Sequence, residues 1–153
     1  MRLAAVLLAV ALSPLTLAAN VVGNSDMELG SATGATGWQT HVAQGEYAFE
    51  IAGDAHSGGR CLAIKPLGGP GWARWYTTDL YLQQGATYHI EAWAKTEPGA
   101  LGEVWIPSDD KGFFKSVADA PEWTLIAGDF SVARDGAHGL YLQNKGTGTI
   151  FFD

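Results

Sequence analysis

The chain is expected to fold as an all-β, two-sheet β-sandwich with jelly-roll winding. Short runs of alternating apolar and polar residues recur along it, and Gly, Pro, Asn or Asp bound each run. Nowhere do three or four turns of helical apolar spacing run without Gly or Pro. In order, the runs place strands at about 20–28, 38–42 and 47–51, followed by Gly53-Asp54 and Gly58-Gly59. A strand at 61–65 leads through Gly68-Gly69-Pro70 to a long one at 72–82, and Gln84-Gly85 turns the chain into 86–95. Pro98-Gly99 precedes 102–106, and Asp109-Asp110-Lys111-Gly112 reads as the turn into 113–117. Strands at 123–131, 139–143 and 149–153 complete the set, with Asp135-Gly136 between the first two. Short strands at this density fit two packed sheets.

The first 19 residues stand apart. Arg2 provides a short positive region, Leu3 to Leu12 an apolar one, and Ser13-Pro14 a break before the small residues Ala18 and Ala19. This is the pattern of a secretory signal peptide (1–19), cleaved after Ala18 or Ala19, which leaves one domain at 20–153 and a secreted or periplasmic protein. The apolar run is too short for a membrane span. One cysteine among 153 residues excludes an internal disulfide framework. A charged fraction of 16% beside 17 aromatic residues (6 Trp, 5 Tyr, 6 Phe) excludes a disordered tail. The formal charge of −7 repels phosphate backbones and anionic membranes, so nucleic acid is not an expected partner.

Strand side chains alternate between faces, so parity assigns them. In 88–95, Tyr88, Ile90, Ala92 and Ala94 share one face, and His89, Glu91, Trp93 and Lys95 the other. By the same rule Glu103 and Trp105 oppose Val104 and Ile106, and Tyr141 and Gln143 oppose Leu140 and Leu142. Setting Leu80 and Leu82 inward turns Trp75 outward, although a single bulge would exchange Trp75 with Arg74 and Tyr76. Trp72, beside Gly69-Pro70-Gly71, belongs at a cleft edge, while Trp38 and Trp123 read as structural. Taken singly, each aromatic serves as core or loop cover as readily as ligand contact. As a set on a polar face they suit a pyranose, whose C–H face an aromatic ring removes from water at roughly 25 cal/mol per Å². Arg74, Glu91, Glu103 and Gln143 then satisfy the sugar hydroxyls.

The order of motifs adds to this reading. Asn24-Ser25-Asp26-Met27-Glu28 opens the domain, followed by Gly37-Trp38 and by His56-Ser57-Gly58-Gly59-Arg60-Cys61-Leu62-Ala63-Ile64. Next come Leu82-Gln83-Gln84-Gly85-Ala86-Thr87-Tyr88, Glu91-Ala92-Trp93-Ala94-Lys95, Trp123 with Gly128-Asp129-Phe130, and Phe151-Phe152-Asp153. This series resembles carbohydrate-binding modules of the family 4, 9 and 22 type, the cellulase-C-like, galactose-binding-like β-sandwiches, over nearly all of 20–153. Met27 stands where an aromatic is usual and Glu91 where Ser is common. The family pattern also continues past its terminal acid, so the last strand reads as cut short, as in a fragment of a longer enzyme or a truncated gene. The resemblance implies a jelly roll that binds β-glucan, xylan or a related polysaccharide and serves an attached or partner glycoside hydrolase. It also implies one structural Ca²⁺ near the chain ends, with Glu28 and Asp153 at the family's acidic positions and Ser57 or Arg60 giving a carbonyl oxygen. Read from the residues alone, Glu28 and Asp153 are equally acids satisfied by backbone N–H groups.

No catalytic or zinc motif emerges. The histidines at 41, 56, 89 and 138 lack metal-ligand spacing, and Cys61 sits in an apolar run as a small hydrophobe with no base to activate it. Two functions from other classes stay open: a structural or adhesive sandwich without a sugar site, and a small glycan hydrolase with Glu91 and Glu103 facing each other across strands.

Overall fold

A computed structural model describes residues 20–153; the expected signal peptide lies outside the described residues. No helix occurs among them. Two short strands, β1 (Gly30–Ser31) and β2 (Gly34–Ala35), form a small hairpin. The remaining strands are β3 (Gln39–Ala52), β4 (Cys61–Leu82), β5 (Tyr88–Thr96), β6 (Leu101–Ser108), β7 (Lys111–Ala118), β8 (Thr124–Phe130), β9 (Gly136–Asn144) and β10 (Ile150–Phe152).

All pairings are antiparallel, and the two longest strands serve both layers of the sandwich. The first layer runs β7-β6-β9, then the second half of β4 and the first half of β3. The other runs β8-β5-β10, then the first half of β4 and the second half of β3. β3 and β4 turn the corner together. Their register shifts between Val42 and Tyr47, where Gly45 adopts a φ of 83°. Gly71 passes so close to β3 that a Cβ there would meet the Gln44 carbonyl oxygen at 1.9 Å. The strands predicted at 38–42 and 47–51 are therefore one strand, as are those at 61–65 and 72–82. Gly68-Gly69-Pro70 is a corner within β4, because Gly allows a bend without breaking the pairing with β3.

The inner faces meet around Leu62, Ile64, Trp75, Leu82, Val104, Ile106, Ile150 and Phe152, all fully buried. Burying such a side chain contributes about 1.5–3 kcal/mol. β6 packs so closely on β10 that only Gly fits at 102: a Cβ there would meet Ile150 Cδ1 at 2.0 Å. The strand expected at 20–28 does not form. Asn24 organises that segment as a turn, its carboxamide accepting from Leu29 N–H and donating to the Leu29 and Thr36 carbonyls.

Parity misplaced Trp75. It is 1% exposed, packs edge-on against Phe49 at 5.3 Å and donates its indole N–H to the Ala63 carbonyl at 3.1 Å. The cause is the bulge that β4 carries between Thr77 and Leu80, where Thr77 pairs with Leu140 and Leu80 with His138. The extra residue lets Ala73, Trp75 and Thr77 face inward together with Leu80 and Leu82.

Candidate functional site

The same bulge turns Trp72, Arg74 and Tyr76 to the outer face of the first layer. There the antiparallel register aligns side chains into rows, since directly paired residues point to the same side. One row runs Phe114, Trp105, Tyr141, Tyr76 and Gln39 across β7, β6, β9, β4 and β3. The adjacent row runs Ser116, Glu103, Gln143, Arg74 and His41. Aromatic rings thus stand beside a polar row on one continuous sheet face.

The rings are in contact. Trp105 and Tyr141 lie 5.5 Å apart between centroids, and Tyr141 stacks on Tyr76 at 5.9 Å with planes 24° apart. Phe114 extends the row and is 58% exposed. At the far side His41 tilts against Trp72 at 5.9 Å. The Arg74 guanidinium carbon sits 4.4 Å from the Tyr141 centroid, 5.2 Å from Trp72 and 5.4 Å from Tyr76, within cation–π range of all three. The neighbouring polar groups are paired, and Glu103 and Gln143 among them are buried. Gln143 donates to Glu103 at 2.8 Å, and Lys145 approaches the other Glu103 oxygen at 2.8 Å. Tyr76 donates its hydroxyl to Gln39 at 2.8 Å. Flat hydrophobic surface and fixed polar groups of both signs are therefore presented together.

Of the residues singled out from the sequence, Trp72, Arg74, Glu103, Trp105, Tyr141 and Gln143 come together here. Trp75 belongs to the core, as described. Trp93 and Glu91 point outward as parity required, but from β5 in the second layer, so they do not join this face. Trp93 is covered: the His56 ring stacks on it at 3.7 Å with planes 11° apart. Glu91 instead lies 3.3 Å from His89. Glu91 on β5 and Glu103 on β6 lie in different layers and do not face each other across paired strands. Phe114, Gln39 and His41 are absent from the sequence-based set, and Tyr76 enters it only through the bulge that exchanges it with Trp75. Phe114 was legible, since parity from the core residue Phe113 turns it outward; Tyr76 depended on the bulge.

Glu28, Ser57, Arg60 and Asp153 do meet, at a clasp between the chain ends and the 53–60 loop. Glu28 Oε1 accepts from Gly59 N–H at 2.7 Å and Arg60 N–H at 3.0 Å, and Asp153 Oδ2 accepts from Ser57 N–H at 2.7 Å. The Arg60 guanidinium donates to the carbonyl oxygens of Glu28, Gly30 and Ser31. Backbone N–H groups thus hold one oxygen of each carboxylate, while Glu28 Oε2 and Asp153 Oδ1 accept no hydrogen bond among the described residues. The Arg60 guanidinium sits on main-chain carbonyl oxygens, and no ion pair joins it to the carboxylate of Glu28 or Asp153 among the described residues. Among the described residues, no group of three or more His, Cys, Asp or Glu is placed to share a metal ion.

No family model matches the chain, and no curated protein matches it. Solved structures do. TmCBM61 in complex with β-1,4-galactotriose superposes with a TM-score of 0.64 at 17% identity, covering 89% of this chain and 95% of that one. The CBM22-1-GH10 modules of Clostridium thermocellum xylanase Xyn10B, complexed with xylohexaose, give 0.54 at 18% identity over 76% of this chain and 25% of that one. This chain has the β-sandwich fold of carbohydrate-binding modules. The fold that the motif order implies is thus the fold observed. The enzymatically active domain of bacteriophage CBA120 tailspike protein 4 gives 0.69 at 11% identity over 87% of this chain, and the chain spans 20% of its length. Fold alone therefore assigns no chemistry, and function rests on the site.

Proposed function

We propose that the outer face of the first layer binds a polysaccharide without catalysis. The observation that carries this reading is the in-register row Phe114, Trp105, Tyr141 and Tyr76. Four adjacent strands at roughly 4.8 Å spacing extend the row over roughly 14 Å, long enough for several sugar rings. The rings take the apolar C–H faces, while Gln143, Glu103 and Arg74 lie beside them for the hydroxyls. The oligosaccharides bound to TmCBM61 and to Xyn10B support a chain ligand of β-glucan, xylan or galactan type. A protein exported by the 1–19 leader would use this face to concentrate an attached or partner glycoside hydrolase on its substrate, as the joining of CBM22-1 to GH10 modules illustrates.

Affinity electrophoresis of the 20–153 domain in gels containing xylan, β-glucan, galactan or soluble cellulose tests the proposal. Retardation by at least one of them, abolished in Trp105→Ala, is expected. Unretarded migration through every glycan would leave the structural or adhesive reading, which the covered Trp93 already fits on the opposite face.

A further inference from the structure

Arg74 is the least satisfied charge on the candidate face. Its guanidinium makes no hydrogen bond and no ion pair among the described residues: its Nε–H is covered and without an acceptor, while its two Nη groups are uncovered and open to a ligand. An unpaired buried donor of this kind is costly, and neither the Tyr76 nor the Tyr141 hydroxyl oxygen accepts from it. The nearest acid in its row is already engaged: Glu103 is held by Lys145 on one oxygen and by Gln143 on the other. The remaining member, His41, leans on Trp72. With Glu103 offset by Lys145, this face keeps one net positive charge in a chain whose formal charge is −7. Electrostatics elsewhere on the surface repel anions, so a cation left open among aromatic rings selects for an anion carried on something that stacks.

Building on the polysaccharide reading above, we propose that this site prefers a polysaccharide bearing uronic acids, with the sugar carboxylate engaging Arg74 while its ring and neighbours stack on Trp105, Tyr141 and Tyr76. The planar guanidinium matches a carboxylate in a paired geometry that a hydroxyl does not reproduce. The carboxylate is the shared chemistry, whether it lies in the main chain or on a branch.

Isothermal titration calorimetry with matched ligands tests this. Polygalacturonate is compared with its carboxyl-reduced form for a main-chain uronate, and glucuronoxylan with unsubstituted xylan for a branch. At least one acidic ligand is expected to bind about tenfold more tightly than its neutral counterpart, with the advantage shrinking as salt rises. Arg74→Gln should bring the two members of that pair within about twofold, while Trp105→Ala weakens both. Equal or tighter binding of the neutral members would overturn the uronate preference and leave polysaccharide binding standing. An acidic preference that survives in Arg74→Gln would overturn the role of Arg74. Binding of none of the four ligands, with no retardation on any neutral glycan, would overturn the polysaccharide reading itself.

Discussion

The Tyr141 ring lies along β9 directly over Gly139: a Cβ at 139 would meet the Tyr141 hydroxyl at 2.5 Å and ring carbons at 2.6 and 2.7 Å. The missing side chain lets a tyrosine lie flat on its own strand, and this is what allows it to span from Trp105 to Tyr76. In the Gly139→Ala variant the ring must tip away from the sheet. Glycan affinity should fall several-fold with the melting temperature little changed, measured by calorimetry and thermal denaturation on the same samples.

Trp75 and Trp105 separate core from site. Trp75→Ala empties a fully buried position and removes a bond to Ala63, so it should destabilise the domain by about 3–5 kcal/mol. Trp105→Ala removes a ring that is only partly buried on the outer face and should cost less stability than Trp75→Ala while abolishing glycan retardation. Urea unfolding of both variants checks the contrast; a large loss for Trp105→Ala alone would return that ring to the core.

The clasp at Glu28 should hold without metal. Glu28→Ala leaves the Gly59 and Arg60 N–H groups without their acceptor, and the expected loss is about 1.5 kcal/mol, the low end for bonds to a charged group because the clasp is partly open. Adding calcium or a chelator should leave the melting temperature of the unaltered protein in place. A calcium-dependent rise would overturn this prediction and support the structural ion that the resemblance implies.

His89 lies between two acids, 2.6 Å from Asp129 and 3.3 Å from Glu91. The hydrogen bond to Asp129 does most to hold its pKa above the ordinary histidine value, with smaller support from the charges of both acids. A raised folded-state value means the stabilisation is complete below the unfolded value of about 6.5 and is lost as pH rises through the folded one. An NMR titration should place the His89 midpoint above 6.5, and Asp129→Asn should lower it.

By itself the sequence determined the strand-and-turn pattern, the inward aliphatic stripes and the outward direction of Trp93, Trp105 and Tyr141. These are local consequences of a two-residue pleat and of turn chemistry at Gly and Pro. It could not say which outward rings share a surface. Trp93 and Trp105 obey the same parity, yet β5 and β6 belong to different layers, and layer membership is set by pairing with strands distant in the chain. The place of Trp75 was undecidable for a related reason. A bulge exists only relative to a partner's register, and β9, which supplies that register, lies more than fifty residues away. Tertiary structure therefore decided which aromatics form the face, and by turning Arg74 outward beside Tyr141 it set an unpaired cation at the centre of that face.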